Sequence, residues 1–529
     1  MDASRSNGIG GCIANFQFYT GGQLDAGRRS SLSEGVCLGA LSAIPLGESK
    51  GYRPHNEPQD RLFVIRLSVN TVVAYRNSCP HLGYESAPMA WRRDRYLDGS
   101  KQLIKCGSHG ALFTLKEGKC IKGPCEGQHL SAEKVTVDKN GNLIWWPHTE
   151  ESNVMSESVK KILIVGGGFT GMSAAILLQQ QGVEVHLVEL DKNWRTDGAG
   201  ITVSGPSLRA IEQIGVLDEF KQYGAICQNV DMFTSNGTHL RQIPTPAVPG
   251  SSIVGGGGIM RPVLAKILAE RTKEAGVKVL LGHTYDTLED KGDRVEVTFT
   301  NGESDSYDMV AAADGVFSKT RQLIFPDAPT PQYTGQVVWR AVVERHGLER
   351  PALFYGPNGK LGFTPVSATH MYLNYTEQQP KKIRMADDQL LPHLKGLIAE
   401  FTAPVIEKVK AELNENSSIL ARPLEGMIME RPWSKGRVLL MGDAVHATTP
   451  HLASGAGMGH EDAVVLADEV KAGGTVEDIL KRFEDRRWTR CSLIVSNSKR
   501  LGEIEQTGGS KVEHMQIMAL SMSALMAPI

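Results

Sequence analysis

The sequence predicts a multidomain chain: a small all-β domain first, then an α/β domain with an inserted β-sheet and C-terminal helices. Three observations predict this. Residues 37–146 hold short β-type runs (62–67, 72–75, 103–105, 143–146) separated by turn residues. A polar stretch without periodicity follows at 147–158. From Lys160 onward the chain reads as one large α/β unit, opening with strand, glycine-rich turn and helix. At 529 residues it is also too long for a single core.

Composition narrows the function. Lys and Arg number 57 against 59 Asp and Glu, for a net charge of −2, which advertises no nucleic-acid face. The stretch Met1-Asp-Ala-Ser-Arg-Ser has no apolar core of a signal peptide, and no long apolar run suggests a membrane span. The expectation is a soluble, cytoplasmic protein. Eight cysteines are too sparse for a disulfide framework, so their clustering matters more than their number. Cys12, Cys37, Cys227 and Cys491 are scattered and carry no assigned chemistry. The expected boundaries are a Gly-, Ser- and Arg-rich flexible arm at 1–34, the β domain at 35–148 and a linker at 149–158. The α/β domain then spans 159–529, with its inserted sheet at about 330–430.

Within the β domain, Cys79-Pro-His81 and Cys106-Gly-Ser-His109 each put two metal-ligating side chains on one tight turn. Two Cys and two His suit a structural zinc. They equally suit a [2Fe–2S] cluster with Cys on one iron and His on the other. The surroundings, Ser78-Cys-Pro-His-Leu-Gly83, Cys106-Gly-Ser-His-Gly-Ala-Leu-Phe113 and Gly118-Lys-Cys-Ile-Lys-Gly-Pro-Cys125, resemble the Rieske ferredoxin-type domains. The resemblance implies Cys79, His81, Cys106 and His109 as cluster ligands. One departure is a longer gap between the pairs, which reads as a polar loop insertion around 91–99. Cys120 and Cys125 read as a disulfide beside the cluster or as two free thiols covering it; a cytosolic setting favours the thiols.

In the α/β domain, residues 162–165 are an apolar run, and Gly166, Gly168 and Gly171 then form G-x-G-x-x-G. Residues 172–180 read as the following helix, and Glu189 closes a second apolar run at 183–188. Strand, glycines, helix and acid together predict a dinucleotide site. The first glycine allows the turn, the second admits a pyrophosphate and the third lets helix pack on strand. The acid takes ribose hydroxyls.

Further along lie Arg195-Thr-Asp-Gly-Ala-Gly, a helical stretch at 206–214, and Arg261 opening an amphipathic helix. Two more apolar runs end in Asp314-Gly315 and in Gly442-Asp443, each carboxylate well placed to hold ribityl or ribose hydroxyls. In this order and spacing the segments resemble the single-component FAD monooxygenases of the aromatic hydroxylase type, across essentially all of 160–500. The resemblance implies that Gly166, Gly168, Gly171 and Glu189 bind the AMP half of FAD. It implies that Asp314 and Gly315 touch both FAD and the nicotinamide cofactor, and that Asp443 holds the ribityl chain and pyrophosphate. Arg261 matches the family's FAD-contacting arginine, and Arg195 is placed near the flavin. Downstream, the family's Pro-x-x-Gly-Gln-Gly appears as Pro450-His-Leu-Ala-Ser-Gly455. Ala453 and Ser454 replace Gly and Gln, while backbone donors at Gly455 and Ala456 still serve the isoalloxazine.

A run of β-type residues at 337–379 reads as a sheet roofing the substrate pocket, with Trp339, Phe354, Phe363 and Tyr372 as candidate walls or plain core. His446, His451 and Pro450 flank the flavin-binding turn and are the catalytic candidates; structural roles fit both histidines equally well. The implied function is an NAD(P)H-dependent monooxygenase. Hydride reduces FAD, O2 adds at flavin C4a, and the (hydro)peroxyflavin oxygenates a small aromatic or N-heteroaromatic acid. No second G-x-G-x-x-G appears, so NADH or NADPH is a visitor. An ordinary flavin hydroxylase needs no one-electron carrier. The Rieske domain therefore feeds or drains single electrons at the flavin, is structural, or points to N-oxidation of hydroxylamine or an amine, or to an electron-transfer reductase with a redox partner protein. The Met- and Ala-rich tail at 515–529 is a candidate docking helix or homo-oligomer contact.

Overall fold

The computed structural model describes residues 35–54, 60–69, 71–80, 88–90, 93–107, 110–146, 159–195, 198–248, 253 and 255–529. The 1–34 arm, the 149–158 linker, His81 and His109 lie outside the described residues. The chain divides into two compact units, residues 1–153 and 154–529.

The first unit is built from three antiparallel three-stranded sheets. Val36–Ala40, Asn142–Trp146 and Lys134–Val137 form one, and Ser49–Tyr52, Leu62–Arg66 and Val72–Arg76 another. Leu103–Lys105, Leu112–Thr114 and Cys120–Lys122 form the third. The strand Leu62–Arg66 is apolar on both faces, and its period of two divides its side chains between two cores. Leu62 and Val64 pack with Tyr52, Leu143 and Trp145, while Phe63 and Ile65 pack with Tyr75, Tyr96, Cys79 and Cys106.

The second unit is centred on a six-stranded sheet ordered Lys278–Leu281, Glu184–Glu189, Lys161–Val165, Met309–Ala312, Val438–Leu440, Ser434–Lys435. The first five strands are parallel, and Ser434–Lys435 is antiparallel at the edge. Every residue of Met309–Ala312 and Val438–Leu440 is buried, as expected of parallel strands covered on both faces. The strand order reverses between Lys161–Val165 and Met309–Ala312, and ligands bind at the carboxyl ends of such a switch point. There the glycine-rich turn enters the helix Phe169–Gln180. Gly166 takes φ +103°, and a Cβ on it would stand 2.4 Å from the Ala313 carbonyl oxygen. A Cβ on Gly171 would stand 2.0 Å from the Gly166 oxygen.

A seven-stranded sheet holds Gln332–Glu344, His370–Gln378, Lys360–Pro365, Ala352–Tyr355 and Ile419–Gly426. It also recruits Asn229–Thr234 and His239–Pro244, upstream of the span of about 330–430 read from the sequence. One face carries Trp339, Ala341, Val343, Phe354 and Phe363, packed with Leu394, Phe401, Ile406 and Val409 from the helices and turn that cover it. Trp339, Phe354 and Phe363 are therefore core, because strand alternation turns them away from residues 338 and 340. The helices Gly455–Ala472, Val476–Thr507 and Lys511–Met526 close the fold. Among the described residues no helix is long and apolar enough to cross a membrane.

Gly171→Ala should cost roughly 1–3 kcal/mol by overpacking against backbone. Denaturant unfolding of the full chain measures it, and an unchanged midpoint would refute the close approach.

Candidate flavin and iron–sulfur sites

A cleft of ≈ 400 Å³ opens at the switch point, lined on one side by Gly168, Phe169, Ala313, Gly315 and Asp443. Gly455 and Ala456 continue that side, and Pro450 lies beside them. The opposite wall is the free face of the seven-stranded sheet, with Val338, Arg340, Tyr372 and Arg422. A larger hollow of ≈ 830 Å³ lies by Tyr375, His393 and Glu400 and contains none of the predicted site residues, so chemistry is assigned to the smaller cleft.

Two helix N-termini converge on this cleft, those of Phe169–Gln180 and Gly455–Ala472, and neither is capped by a side chain. Free N–H groups and the helix dipoles together favour an anion such as a pyrophosphate. A Cβ at Gly168 would meet nothing within 4 Å, so the turn is open where a ligand would approach. At the start of the helix Lys319–Ile324, which Ser318 caps, Asp314 accepts from Thr320 N at 3.0 Å and Thr320 Oγ1 at 2.8 Å. Its Oδ1 is buried without a hydrogen-bond partner, an acceptor suited to a ligand hydroxyl. Asp443 is crowded by protein yet its side chain stays open to the cleft. The crowding raises its pKa, while His446 and Arg261 oppose that push. Arg261 lies 5.0 Å above the Phe169 ring, and burial, with Arg340 nearby, lowers its pKa. These donors and acceptors fit an FAD.

Glu189 stands beside the glycine-rich turn, accepting from Gly167 N at 2.7 Å and Asp191 N at 2.8 Å. Trp194, which sequence reasoning missed, donates from Nε1 to the Gly167 oxygen at 2.8 Å and covers the same turn. Its neighbour Arg195 is not brought to the cleft. It is exposed and pairs with Asp191 at 3.1 Å, because this short loop turns its side chain to solvent.

The two histidines lie off the cleft. His446 is fully buried behind the Gly442-Asp443 turn, with Nε2 2.7 Å from Asp462 Oδ2. Burial works against its charged form, but the Asp462 carboxylate and Cys491 thiol outweigh it and hold its pKa well above the ordinary value. His446, Asp462 and Cys491 lie within 4.8 Å of one another, and Arg487 already supplies a cation there. The His451 side chain is enclosed, meets Thr449 Oγ1 at 2.9 Å and has its pKa pushed down to about 4 by burial, so it is neutral. Neither ring lines the cleft; both brace the loop that does. Within that loop Ala453 takes φ +48°, at the position where the resembled motif has glycine. A non-glycine residue pays about 1–2 kcal/mol for this left-handed backbone.

Arg340 and Arg422 were missed too. The available signal was a lone cation inside the apolar run 337–343. Tyr372, the one aromatic candidate that lines the cleft, has its hydroxyl 3.1 Å from Thr202 Oγ1.

In the first unit, Cys79 and Cys106 are buried at 1% and 0% exposure in one core. Cys106 begins a tight turn, with Gly110 N donating to its oxygen at 2.9 Å. Cys120 and Cys125 are free thiols with Sγ atoms 3.3 Å apart. Two buried sulfur donors carried on turns fit a cluster held from one side by cysteine.

Comparison with known proteins finds a family for each unit. A family model described as an FAD binding domain matches residues 160–498, and a Rieske [2Fe-2S] domain model matches 36–150. The chain belongs to the FAD-binding monooxygenase family. The 2-heptyl-3-hydroxy-4(1H)-quinolone synthase of Pseudomonas aeruginosa is 29% identical over 349 residues, 65% of this chain and 89% of that protein. The FAD-dependent urate hydroxylase of Klebsiella pneumoniae is 28% identical over 355 residues, 65% of this chain and 90% of that one. The solved structure of Klebsiella pneumoniae HpxO complexed with FAD and uric acid aligns with TM-score 0.59 and 25% identity, covering 70% of this chain and 93% of that one. This monooxygenase is a flavin-dependent oxidoreductase, and FAD and a Rieske [2Fe–2S] cluster are its cofactors.

Acid should destabilise the fold. Burial pushes His451 and His460 down to about 4 from 6.5, so between those values the unfolded chain takes up protons that the folded chain refuses. Stability therefore drops as pH falls through that window, and His460→Gln should flatten the drop in urea titrations. His446 has the opposite sign: its contribution is complete below pH 6.5 and is lost as pH rises through its elevated pKa.

Proposed function

We propose that this monooxygenase inserts one atom of O2 into a small anionic aromatic or N-heteroaromatic substrate, with NADH or NADPH as reductant. The observation that carries this reading is the Arg340–Arg422 pair. Arg340 faces Leu420 and Val338 faces Arg422 across antiparallel strands, so the two arginines are diagonal neighbours on the cleft face, roughly 7–8 Å apart or less. Neither has an ion-pair or hydrogen-bond partner among the described residues. Two unpaired guanidinium groups in one cleft favour an anion, and a planar carboxylate meets such a fork with two hydrogen bonds. The hydroxyls of Tyr372, Thr202 and Thr364, linked at 3.1 Å each, add neutral donors and acceptors beside the pair. The names of the two relatives carry urate and a quinolone, both nitrogen heterocycles, which supports the same class.

In this reading Gly166, Gly168, Gly171 and Glu189 hold the AMP half of FAD. Asp314, Gly315 and Asp443 take the ribityl and pyrophosphate region, with Arg261, Gly455 and Ala456 along the ring. FAD supplies hydride acceptance and oxygen activation when bound. The chain binds and orients the substrate anion against it and walls the cleft with Pro450 and Tyr372, limiting water. Cys79, His81, Cys106 and His109 would hold the cluster, which would supply one-electron redox chemistry. The presence of that cluster also favours a second reading, reduction of a protein partner without oxygenation.

Labelling separates the two: monooxygenation puts one atom from labelled O2 into the product, and a reductase puts in none. Arg340→Met or Arg422→Met should raise KM for the anionic substrate roughly tenfold to a hundredfold with flavin content unchanged. Cys79→Ser should abolish the cluster's visible and paramagnetic signature. If substrate-dependent NAD(P)H oxidation then continued at full rate, the cluster would have no redox role in turnover.

A further inference from the structure

Behind the cleft runs a buried chain of charges that the oxygenation chemistry does not use. Glu461 and Asp462 stand side by side in the helix Gly455–Ala472 at 1% and 0% exposure. Asp462 accepts from Gly442 N at 2.8 Å, from His446 Nε2 at 2.7 Å and from Arg487 Nε at 2.7 Å. Arg487 donates onward to Glu461 Oε2 at 2.8 Å. The other Glu461 oxygen receives Arg490 Nη1 at 2.9 Å and faces Arg209 at 3.7 Å.

Two carboxylates thus meet three guanidinium groups and one imidazole, and the guanidinium donors left over where Glu461 and Asp462 are enclosed need further acceptors. Residues 525–528 supply them. Arg209 donates to the carbonyls of Leu525 and Met526 at 3.3 Å each and of Ala527 at 2.9 Å. Arg490 donates to Ala527 O at 2.9 Å and also to Pro528 O. The Leu525 side chain is 3% exposed, which docks this segment by apolar burial as well. The path from these carbonyls ends on the N–H of Gly442, the residue before Asp443. None of its members lines the cleft.

We propose that residues 525–528 form a strap that fixes the Gly442-Asp443 turn in flavin-binding geometry, acting through Arg209 and Arg490, Glu461, Arg487 and Asp462. These are positioning residues, and the proposal rests on the reading that Asp443 holds FAD. The carbonyls keep Arg209 and Arg490 from competing for Arg487's acceptors. With the strap displaced, Glu461 is drawn toward the freed arginines, and the Arg487–Asp462–Gly442 contacts relax with it.

The test uses the full chain stripped of flavin, titrated with FAD and followed by flavin fluorescence, with thermal unfolding of apo and reloaded protein. Arg490→Gln should weaken FAD binding roughly tenfold and shrink the gap in Tm between apo and reloaded forms. Arg490→Lys keeps a charge on Glu461 while losing the fork to the strap, and carries the same expectation if Arg490→Gln does not fold. Arg431→Gln breaks an ion pair with Asp485 of the helix Val476–Thr507, off this path, and should leave FAD affinity unchanged. Equal loss of Tm in apo and reloaded Arg490 variants, with FAD affinity intact, overturns the strap. Asp443→Asn keeps the two failures apart. If it leaves FAD affinity intact, the reading of the site falls. If it weakens FAD while the Arg490 variants do not, the strap alone falls.

Discussion

The flavin half depends on the environment of one carboxylate. Asp462 is wholly buried, and an ion removed from water on every side persists only when fully paired and hydrogen-bonded. Burial pushes its pKa up, yet His446 and Arg487, with the Gly442 N–H, hold it below the usual carboxylate value. The same three contacts tie the turn after Val438–Leu440, the helix Gly455–Ala472 and the long helix Val476–Thr507 to one point. What faces the cleft at Asp443 is therefore set from behind, by groups that never touch it.

The cleft divides its work between two kinds of backbone. Its cofactor side is made of turns at the carboxyl ends of parallel strands and of uncapped helix ends, where backbone N–H groups and two carboxylates are the tools. Its facing wall is a mostly antiparallel sheet, where side chains alternate. That alternation sends Trp339 and Phe363 into a core and leaves Arg340, Tyr372 and Arg422 facing inward.

Legibility in the sequence followed the range of the interactions involved. The turn at Gly166–Gly171 was readable because its constraints are local: a positive φ and a close helix approach leave glycine little competition. The pairs Cys79/His81 and Cys106/His109 were readable for a similar reason, since a tight turn presents two ligands together. His446 and His451 admit a catalytic or a structural role in sequence because they flank the flavin turn. Burial and their partners Asp462 and Thr449 make them braces instead. Arg195 looked like a flavin contact from its place after Glu189, yet it ends in solvent beside Asp191.

By itself the sequence determined the two redox domains, the dinucleotide turn and the candidate ligand set, all written in contiguous motifs whose residue types chemistry restricts. Tertiary structure alone decided which cations share the cleft, for Arg340 and Arg422 meet only through strand register. It alone joined Gly442 to Asp462, Arg487, Glu461 and the carbonyls of 525–528. Burial and pairing across such distances arise from packing, so no single stretch of the chain records them.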